Sequence, residues 1–90
     1  MKGFKNYVYL LKSKKDSSYY IGQTGKELNE RLNEHNQGLS VYTSKKRPWK
    51  IVYYEIFKNR KEAMQREQFL KKQRNREFYE RLIRTGSSAG

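Results

Sequence analysis

Five side chains spread along the chain supply two phenols, a guanidinium, an imidazole and a carboxylate, which are groups suited to proton transfer and charge stabilisation. Tyr9 and Tyr20 each lie in a short apolar segment, and Arg31 and His35 are one helical turn apart. Glu67 follows much later in the chain. In a strongly basic chain, this set suggests chemistry on a negatively charged substrate.

The net charge narrows the choice of partner. The 90 residues include 21 Lys and Arg against 9 Asp and Glu, which gives a formal charge of +12 spread along the chain. A polyanion is therefore the expected partner. Nucleic acid fits better than a membrane because no apolar run approaches the ~20 residues of a spanning helix. We expect a cytoplasmic protein, with association with the nucleoid as an option.

Two residue counts bound the metal and redox chemistry. The chain has no Cys and one His, which excludes a disulfide framework, a zinc-thiolate site and a centre built on several histidines. Any metal ion would therefore be held mainly by carboxylate and water.

Periodicity predicts an α+β fold with a small three-stranded antiparallel sheet flanked by about three helices. The run over residues 7–11 is apolar on both alternating faces, as expected of a central strand, and a polar break leads to a second strand over residues 19–22. The β-branched and aromatic content of residues 50–57 predicts a third strand. Tyr9 and Tyr20 could meet across the hairpin if the register allows.

Capping signals set the predicted helices. Thr24, with a glutamate three residues later, is a capping box that predicts a helix over residues 25–37. Asn59 repeats the pattern and starts a helix that runs to about residue 72, and Asn75 caps a third. The apolar positions of the third helix are Phe78, Tyr79, Leu82 and Ile83.

Chain length and composition set the domain organisation. Ninety residues suit one domain and are too few for two independent cores. We predict one domain over residues 1–85 and a disordered tail over residues 86–90, which are Gly, Ser and Ala.

Helix geometry places charged groups where apolar ones are expected. His35 shares a narrow stripe with Leu28 and Leu32, and Arg31 lies on its edge. Glu67 likewise projects on the apolar side of the second helix. An unpaired charge in such a place costs several kcal/mol, so these residues should have partners or a function. The apolar side of the second helix comprises Ala63, Met64 and Leu70, and its outward side comprises Lys61, Arg66 and Lys71.

Each residue alone has a plainer interpretation. Strand tyrosines usually pack in the core or across strands. Arg31 would pair with Glu27 or Glu34, His35 would be a capping or edge residue, and Glu67 would pair with a neighbouring cation.

The basic loop after the first helix is also open to two interpretations. Lys45, Lys46 and Arg47 are either solvated surface or contacts for phosphate. In a chain this basic we expect these three residues, together with Lys71, to bind nucleic acid.

In order and spacing, these segments resemble the GIY-YIG nuclease superfamily, in particular its small stand-alone bacterial members. Tyr7-Val8-Tyr9 resembles the first motif, with Tyr7 where the name-giving pattern has glycine, and Tyr20-Ile21-Gly22 matches the second. Tyr7 and Gly22 are expected to be structural positions, with Gly22 keeping the site open. Further similar positions are Leu28, Arg31, Leu32, His35, Asn36, Tyr42, Thr43, Pro48, Val52, Tyr53, Tyr54, Glu55, Ala63, Arg66, Glu67, Leu82 and Ile83.

The resemblance implies metal-assisted hydrolysis of a DNA phosphodiester. Glu67 would hold one divalent ion, Mg²⁺ or Mn²⁺, and Arg31 would clamp the non-bridging phosphate oxygens. Tyr9 would take the proton from the attacking water, Tyr20 would orient water or phosphate, and His35 would assist proton movement. We expect all five groups to share one pocket.

A phenol base needs a lowered pKa, because an ordinary pKa near 10 leaves about one part in a thousand ionised at pH 7. The metal ion and the guanidinium are expected to lower the pKa by ~1–3 units. Activity should therefore rise toward alkaline pH.

The predicted enzyme would have low sequence specificity, because no DNA-reading domain accompanies these motifs. It would be a monomer or a weak homodimer, and would be structure-selective in DNA repair or processing. The alternative is a non-catalytic nucleic-acid-binding module that retains the fold, and RNA remains a further candidate partner.

Overall fold

Three strands and four helices follow one another along the chain in a computed structural model that describes residues 5–39 and 41–86. Of residues 41 and 42 only the backbone is described. The strands form one antiparallel sheet in the order β2-β1-β3, which confirms the predicted fold class and the central first strand. The elements are β1 (Asn6–Ser13), β2 (Tyr19–Thr24), α1 (Leu28–Asn36), α2 (Val41–Ser44), β3 (Trp49–Phe57), α3 (Arg60–Gln73) and α4 (Arg76–Thr85).

Strand β1 supplies side chains to both faces of the sheet. Val8 and Leu10 point to the face covered by α3 and α4, where they join a buried cluster with Leu70. Tyr9 and Leu11 point to the other face, where α1 packs. Because successive residues of a strand alternate, a central strand covered on both sides must be apolar throughout, as the sequence predicted.

The first helix begins later than predicted. Thr24 is the last residue of β2, and its hydroxyl accepts from the Lys26 N–H at 3.0 Å, so it closes a turn instead of capping the helix. The helix begins at Leu28 with Glu27 at the cap position. A helix over residues 25–37 was therefore too long at its N-terminal end.

The C-terminal end of α1 is where the sequence placed it. Gly38 has a φ of +82°, and its N–H donates to the His35 carbonyl at 3.2 Å. The N–H of Leu39 donates to the Glu34 carbonyl at 3.1 Å. This pair of bonds is the Schellman arrangement, which favours glycine at the left-handed position.

Asparagine caps begin both of the last helices, as predicted. The side chain of Asn59 accepts from the Glu62 N–H at 2.9 Å, and that of Asn75 accepts from the Phe78 N–H at 3.2 Å. Helix α3 ends at Gln73, and the next residue, Arg74, has left-handed backbone angles.

None of the helices in the described part of the chain has the length and apolar character of a membrane-spanning helix.

Two further details differ from the sequence predictions, and of the predicted tail only Gly86 is described. The loop before β3 contains the four-residue helix α2. Met64, which was assigned to the apolar side of α3, is 38% exposed, whereas Arg66, which was assigned outward, is half-buried. Gly86, the first residue of the predicted tail, donates its N–H to the Leu82 carbonyl at 2.6 Å, and residues 87–90 lie outside the described residues.

Candidate active site

Tyr9 lies at the centre of a buried hydrogen-bonded group on the α1 face of the sheet. Tyr9 is 2% exposed, and its hydroxyl oxygen is 3.0 Å from Nε2 of His35. The Nε–H of Arg31 donates to the same oxygen at 3.3 Å. The spacing of Arg31 and His35 by one helical turn is what brings both to one phenol.

His35 joins Tyr9 to helix α2. The imidazole is fully buried, and its Nδ1 lies 2.8 Å from the hydroxyl oxygen of Thr43. Because the Tyr9 oxygen accepts from Arg31, we infer that its own proton is donated to Nε2, which leaves the imidazole proton on Nδ1 to face Thr43. Burial, reinforced by the Arg31 charge, lowers the pKa of His35 to about 4, so the ring is neutral near pH 7.

Arg31 has two partners in the structure. Besides Tyr9, its Nη1 contacts the Glu34 carboxylate at 2.7 Å, so the plainer interpretation as a salt-bridge residue holds together with the contact to the phenol. Glu34 also forms an ion pair with Lys26. Both cations lower the pKa of the Glu34 carboxyl, and Lys26 has the larger effect. The Arg31 side chain is 29% exposed, so its guanidinium borders solvent.

Tyr20 reaches this group through the imidazole. The register pairs Tyr9 with Gly22 and Leu11 with Tyr20, so the two phenols are diagonal neighbours on the face. Both rings pack edge-on against His35, with centroids 5.9 Å away for Tyr9 and 5.3 Å away for Tyr20. Tyr20 is partly exposed, whereas Tyr9 is buried.

Gly22 makes room for the Tyr9 ring. A methyl group built on Gly22 would lie 2.5 Å from the Tyr9 hydroxyl oxygen, which is far inside van der Waals contact. Only glycine lets the phenol lie across β2 at this point. Tyr7, the other expected structural position, packs edge-on against Tyr54 at a centroid distance of 6.1 Å.

The Arg31 guanidinium lowers the pKa of Tyr9, as expected, but burial has the larger effect. Burial raises the pKa of Tyr9 to about 12, and it outweighs the hydrogen bond and charge of Arg31, which lower it. The charges of Tyr20 and Glu67 add smaller upward contributions. A buried phenol loses more from leaving water than it gains from one cation nearby.

Glu67 is carried by a different helix from Arg31 and His35. Its helix, α3, packs through Ala63 and Leu70 on the face opposite α1. The Glu67 carboxylate pairs with Lys71 at 3.2 Å, and Lys71 lines a pocket with Tyr20 along the outer edge of β2. Lys71 thus links the Glu67 carboxylate to the edge of the sheet that carries Tyr20.

The donor set suits one hard cation. Among the described residues, no three His, Cys, Asp or Glu side chains cluster as a metal cage would require. The Glu67 side chain is 18% exposed, so one carboxylate is accessible at the β2 edge. Mg²⁺ and Mn²⁺ accept such a site, because they retain water ligands and bind phosphate oxygens.

The predicted nucleic-acid contacts lie at the surface beside this site. Lys45, Lys46 and Arg47 are exposed, and the Arg47 guanidinium lies against Gly38 at the end of α1. Lys46 pairs with Asp16 at 3.4 Å. The basic loop is thus tied to both the hairpin turn and the helix that carries Arg31.

Two supporting interactions had no assigned role in the sequence analysis. Asn36 accepts from the Trp49 N–H at 2.6 Å and donates to its carbonyl at 3.1 Å, which fixes α1 against β3. On the other face, Arg66 donates twice to the Glu55 carboxylate, both bonds at 2.9 Å. The family resemblance had already included Asn36, Glu55, Arg66 and Thr43 among its similar positions. That resemblance was the sequence signal that could have identified these interactions.

The fold and this residue set define a class of protein. The sequence matches the model of the GIY-YIG catalytic domain over residues 5–80. The chain therefore belongs to the GIY-YIG family, which is made up of endonucleases.

Within this family, the chain is similar to small UPF0213 proteins. It is 47% identical over 68 residues to UPF0213 protein CPE1444 of Clostridium perfringens, covering 74% of this chain and 71% of that protein. It is 36% identical over 77 residues to UPF0213 protein YazA of Bacillus subtilis, covering 82% and 76%. The solution structure of UPF0213 protein BH0048 from Bacillus halodurans superposes with a TM-score of 0.53 at 32% identity, covering 88% and 82%.

Proposed function

We propose that this protein is a metal-dependent DNA endonuclease that hydrolyses phosphodiester bonds with low sequence specificity. The observation that carries the proposal is the buried Tyr9 hydroxyl, which is hydrogen-bonded to both Arg31 and His35. Membership of an endonuclease family supports the same reaction class.

Arg31 is suited to hold the non-bridging oxygens of the scissile phosphate. Its guanidinium carries five N–H donors, more than Tyr9 and Glu34 engage, and it remains charged at any relevant pH. Contacts to those oxygens would strengthen as negative charge builds up in the transition state.

Tyr9 and His35 are suited to move the proton of the attacking water together. The Tyr9 oxygen would accept the water proton while its own proton passes to Nε2 of His35, which lies 3.0 Å away. The relay avoids a free phenolate, which burial disfavours by raising the pKa of Tyr9 to about 12. It forms an imidazolium instead, which the negative charge of a bound phosphate would have to stabilise because the pKa of His35 is about 4. Tyr20, which is partly exposed beside His35, would orient the water or the phosphate.

Glu67 would hold one Mg²⁺ or Mn²⁺ ion. When bound, such an ion would stabilise charge on the phosphoryl and leaving oxygens. Glu67 would release its ion pair with Lys71, and the freed ammonium group could then contact phosphate.

The surrounding charges account for the proposed low specificity. Lys45, Lys46, Arg47 and Lys71 would contact the DNA backbone, and such contacts carry no sequence information and weaken steeply with salt. A single site of this kind nicks one strand at a time, so the protein would act as a monomer or a weak homodimer. We place it in the cytoplasm, at the nucleoid, in DNA repair or processing.

The second candidate is a non-catalytic nucleic-acid-binding module. The low exposure of Tyr9, 2%, favours this alternative, because a base must reach its water. RNA binding would need only the basic surface.

Cleavage assays with a matched variant test the proposal. Supercoiled plasmid, branched DNA and structured RNA would be incubated with Mg²⁺ or Mn²⁺ and either the native protein or Glu67→Gln, which keeps the shape but removes the charge. We expect metal-dependent nicking of DNA that Glu67→Gln loses, with DNA binding retained. Equal cleavage by both proteins would mean contamination, and tight binding without cleavage would favour the module.

A further inference from the structure

A pocket of about 560 Å³ opens along the outer edge of β2, next to Tyr20. Because β2 is an edge strand, the pocket lies at the side of the sheet, between the face that packs on α1 and the face that packs on α3. Its volume falls in the range of small-molecule sites. The lining residues are Tyr19, Tyr20, Ile21, Lys71, Arg74 and Tyr79.

The aromatic walls of the pocket are fixed in place. The Tyr79 hydroxyl donates to the Leu70 carbonyl at 2.8 Å, and its ring packs edge-on against Tyr19 at 5.7 Å. Two cations lie over the Tyr19 ring. The Arg76 guanidinium is 5.0 Å from the ring centroid, and the Lys12 ammonium is 5.7 Å from it. The walls therefore combine rigid rings with positive charge before any ligand arrives.

Arg74 occupies a backbone position that favours glycine. It directly follows α3, with a φ of 44° and a ψ of 41°, the left-handed region in which helices often end. The same residue lines the pocket, so a cation stands where the chain leaves the helix.

Lys71 supplies a second cation to the same pocket. It lies in the last turn of α3 and lines the pocket together with Arg74. Of the lining rings, the partly exposed Tyr20 is the one we infer to contact a base. An aromatic ring bordered by cations that can bind phosphate is the combination that recognises single-stranded nucleic acid.

We propose that this pocket takes one unpaired nucleotide next to the scissile phosphate, so that the protein prefers DNA with an unpaired strand to plain duplex. The inference rests on the proposed nuclease function, because it places the scissile phosphate beside Tyr20 and Arg31. A paired base would have to lose its stacking and pairing to enter, whereas a base in a flap or gap enters without that cost.

Binding measurements without metal test the pocket. Fluorescence anisotropy in EDTA would compare a duplex with a gapped duplex of equal length, for the native protein, Arg74→Asn and Lys58→Asn. Asparagine tolerates left-handed angles, so Arg74→Asn should fold normally, which circular dichroism would check. Lys58→Asn removes an equal charge from an exposed residue just beyond β3, at the Phe57–Asn6 end of the sheet, remote from the pocket.

We expect the native protein to bind the gapped DNA ~10-fold more tightly, and Arg74→Asn to lose most of that preference. Lys58→Asn should weaken both DNAs alike and keep the preference. Equal affinity of the native protein for both DNAs, or the same small loss in both variants, would overturn the inference. A native protein that discriminates but never nicks plasmid would instead refute hydrolysis alone, and nicking without discrimination would refute the pocket alone.

Discussion

The two faces of the sheet share the central strand and each buries an apolar cluster, but they differ in the polar side chains that they bury. On the α3 and α4 face, Val8 and Leu10 pack into an apolar cluster. On the α1 face, the interior includes Tyr9, His35 and Thr43, which are joined by hydrogen bonds. One face is therefore stabilised mainly by removing apolar surface from water, and the other requires every buried polar atom to find a partner.

The difference indicates a division of labour between the faces. Within the described part of the chain, no buried side-chain nitrogen or oxygen lacks a hydrogen-bond partner. A satisfied polar network holds its donors in fixed positions, which is the property that stabilisation of a transition state requires. An apolar cluster tolerates more rearrangement, so its substitution should affect stability more than turnover.

Matched arginine substitutions would separate the faces most clearly. We expect Arg31→Lys to lower the metal-dependent nicking rate by ~100–1000-fold, because lysine keeps the charge but loses the forked donors. Arg66→Lys makes the same change on the other face, where it weakens the pair with Glu55, and should lower the rate only a few-fold. Similar losses of rate in both variants would mean that the faces are not functionally distinct.

A substitution that creates a cavity on the apolar face should lower stability and leave the nicking rate nearly unchanged. Leu70 is 2% exposed, and Leu70→Ala should lower the free energy of unfolding by ~2–5 kcal/mol through lost burial and an unfilled cavity. The nicking rate per folded molecule should stay within a few-fold of the native rate. Urea unfolding followed by tryptophan fluorescence measures the first quantity, and a catalytic loss as large as that of Arg31→Lys would contradict the division.

The polar face should make stability depend on pH. The pKa of His35 is about 4 in the folded protein, whereas an unfolded histidine titrates near 6.5. Between these values the unfolded chain binds the extra proton, so stability should fall as the pH drops from 6.5 to 4, by up to about 3 kcal/mol. Urea midpoints across this range would measure the slope, which should be shallower in His35→Asn. An unchanged slope in that variant would assign the effect to other groups.

The smallest change would test the contact between β2 and the phenol. Gly22→Ala places a methyl group 2.5 Å from the Tyr9 hydroxyl oxygen and should cost about 1–3 kcal/mol, because the ring must shift. Gly25→Ala is the matched control, since its nearest atom would be 3.6 Å away, and it should be close to neutral. Equal unfolding midpoints for the two variants would show that the ring moves freely.

Local signals determined how much of the fold the sequence could predict. Asn59, Asn75 and Gly38 act within a few residues of their own positions, so the ends they set were correct. The prediction that Thr24 caps a helix was wrong because its hydroxyl accepts from a competing local partner, the Lys26 N–H. Capping patterns identify candidate ends but do not decide between such partners.

The candidate site depends more on distant contacts. Arg31 and His35 could be placed on one stripe because helical periodicity is local. The bond of His35 to Thr43 and the position of Glu67 on the opposite face's helix depend on tertiary packing. The lowering effect of Arg31 on the Tyr9 pKa could be read from a motif, whereas the larger raising effect of burial depends on the whole fold.

The position of the two phenols in the sheet also sets how each should fluctuate. Tyr9 lies on a strand bonded to neighbours on both sides, whereas Tyr20 lies on an edge strand. Local opening is rarest where most hydrogen bonds must break together, so amide exchange should be slowest around Tyr9 and faster around Tyr20. One tyrosine would then act as a fixed reference point, while the other could yield as a strand of DNA enters and leaves.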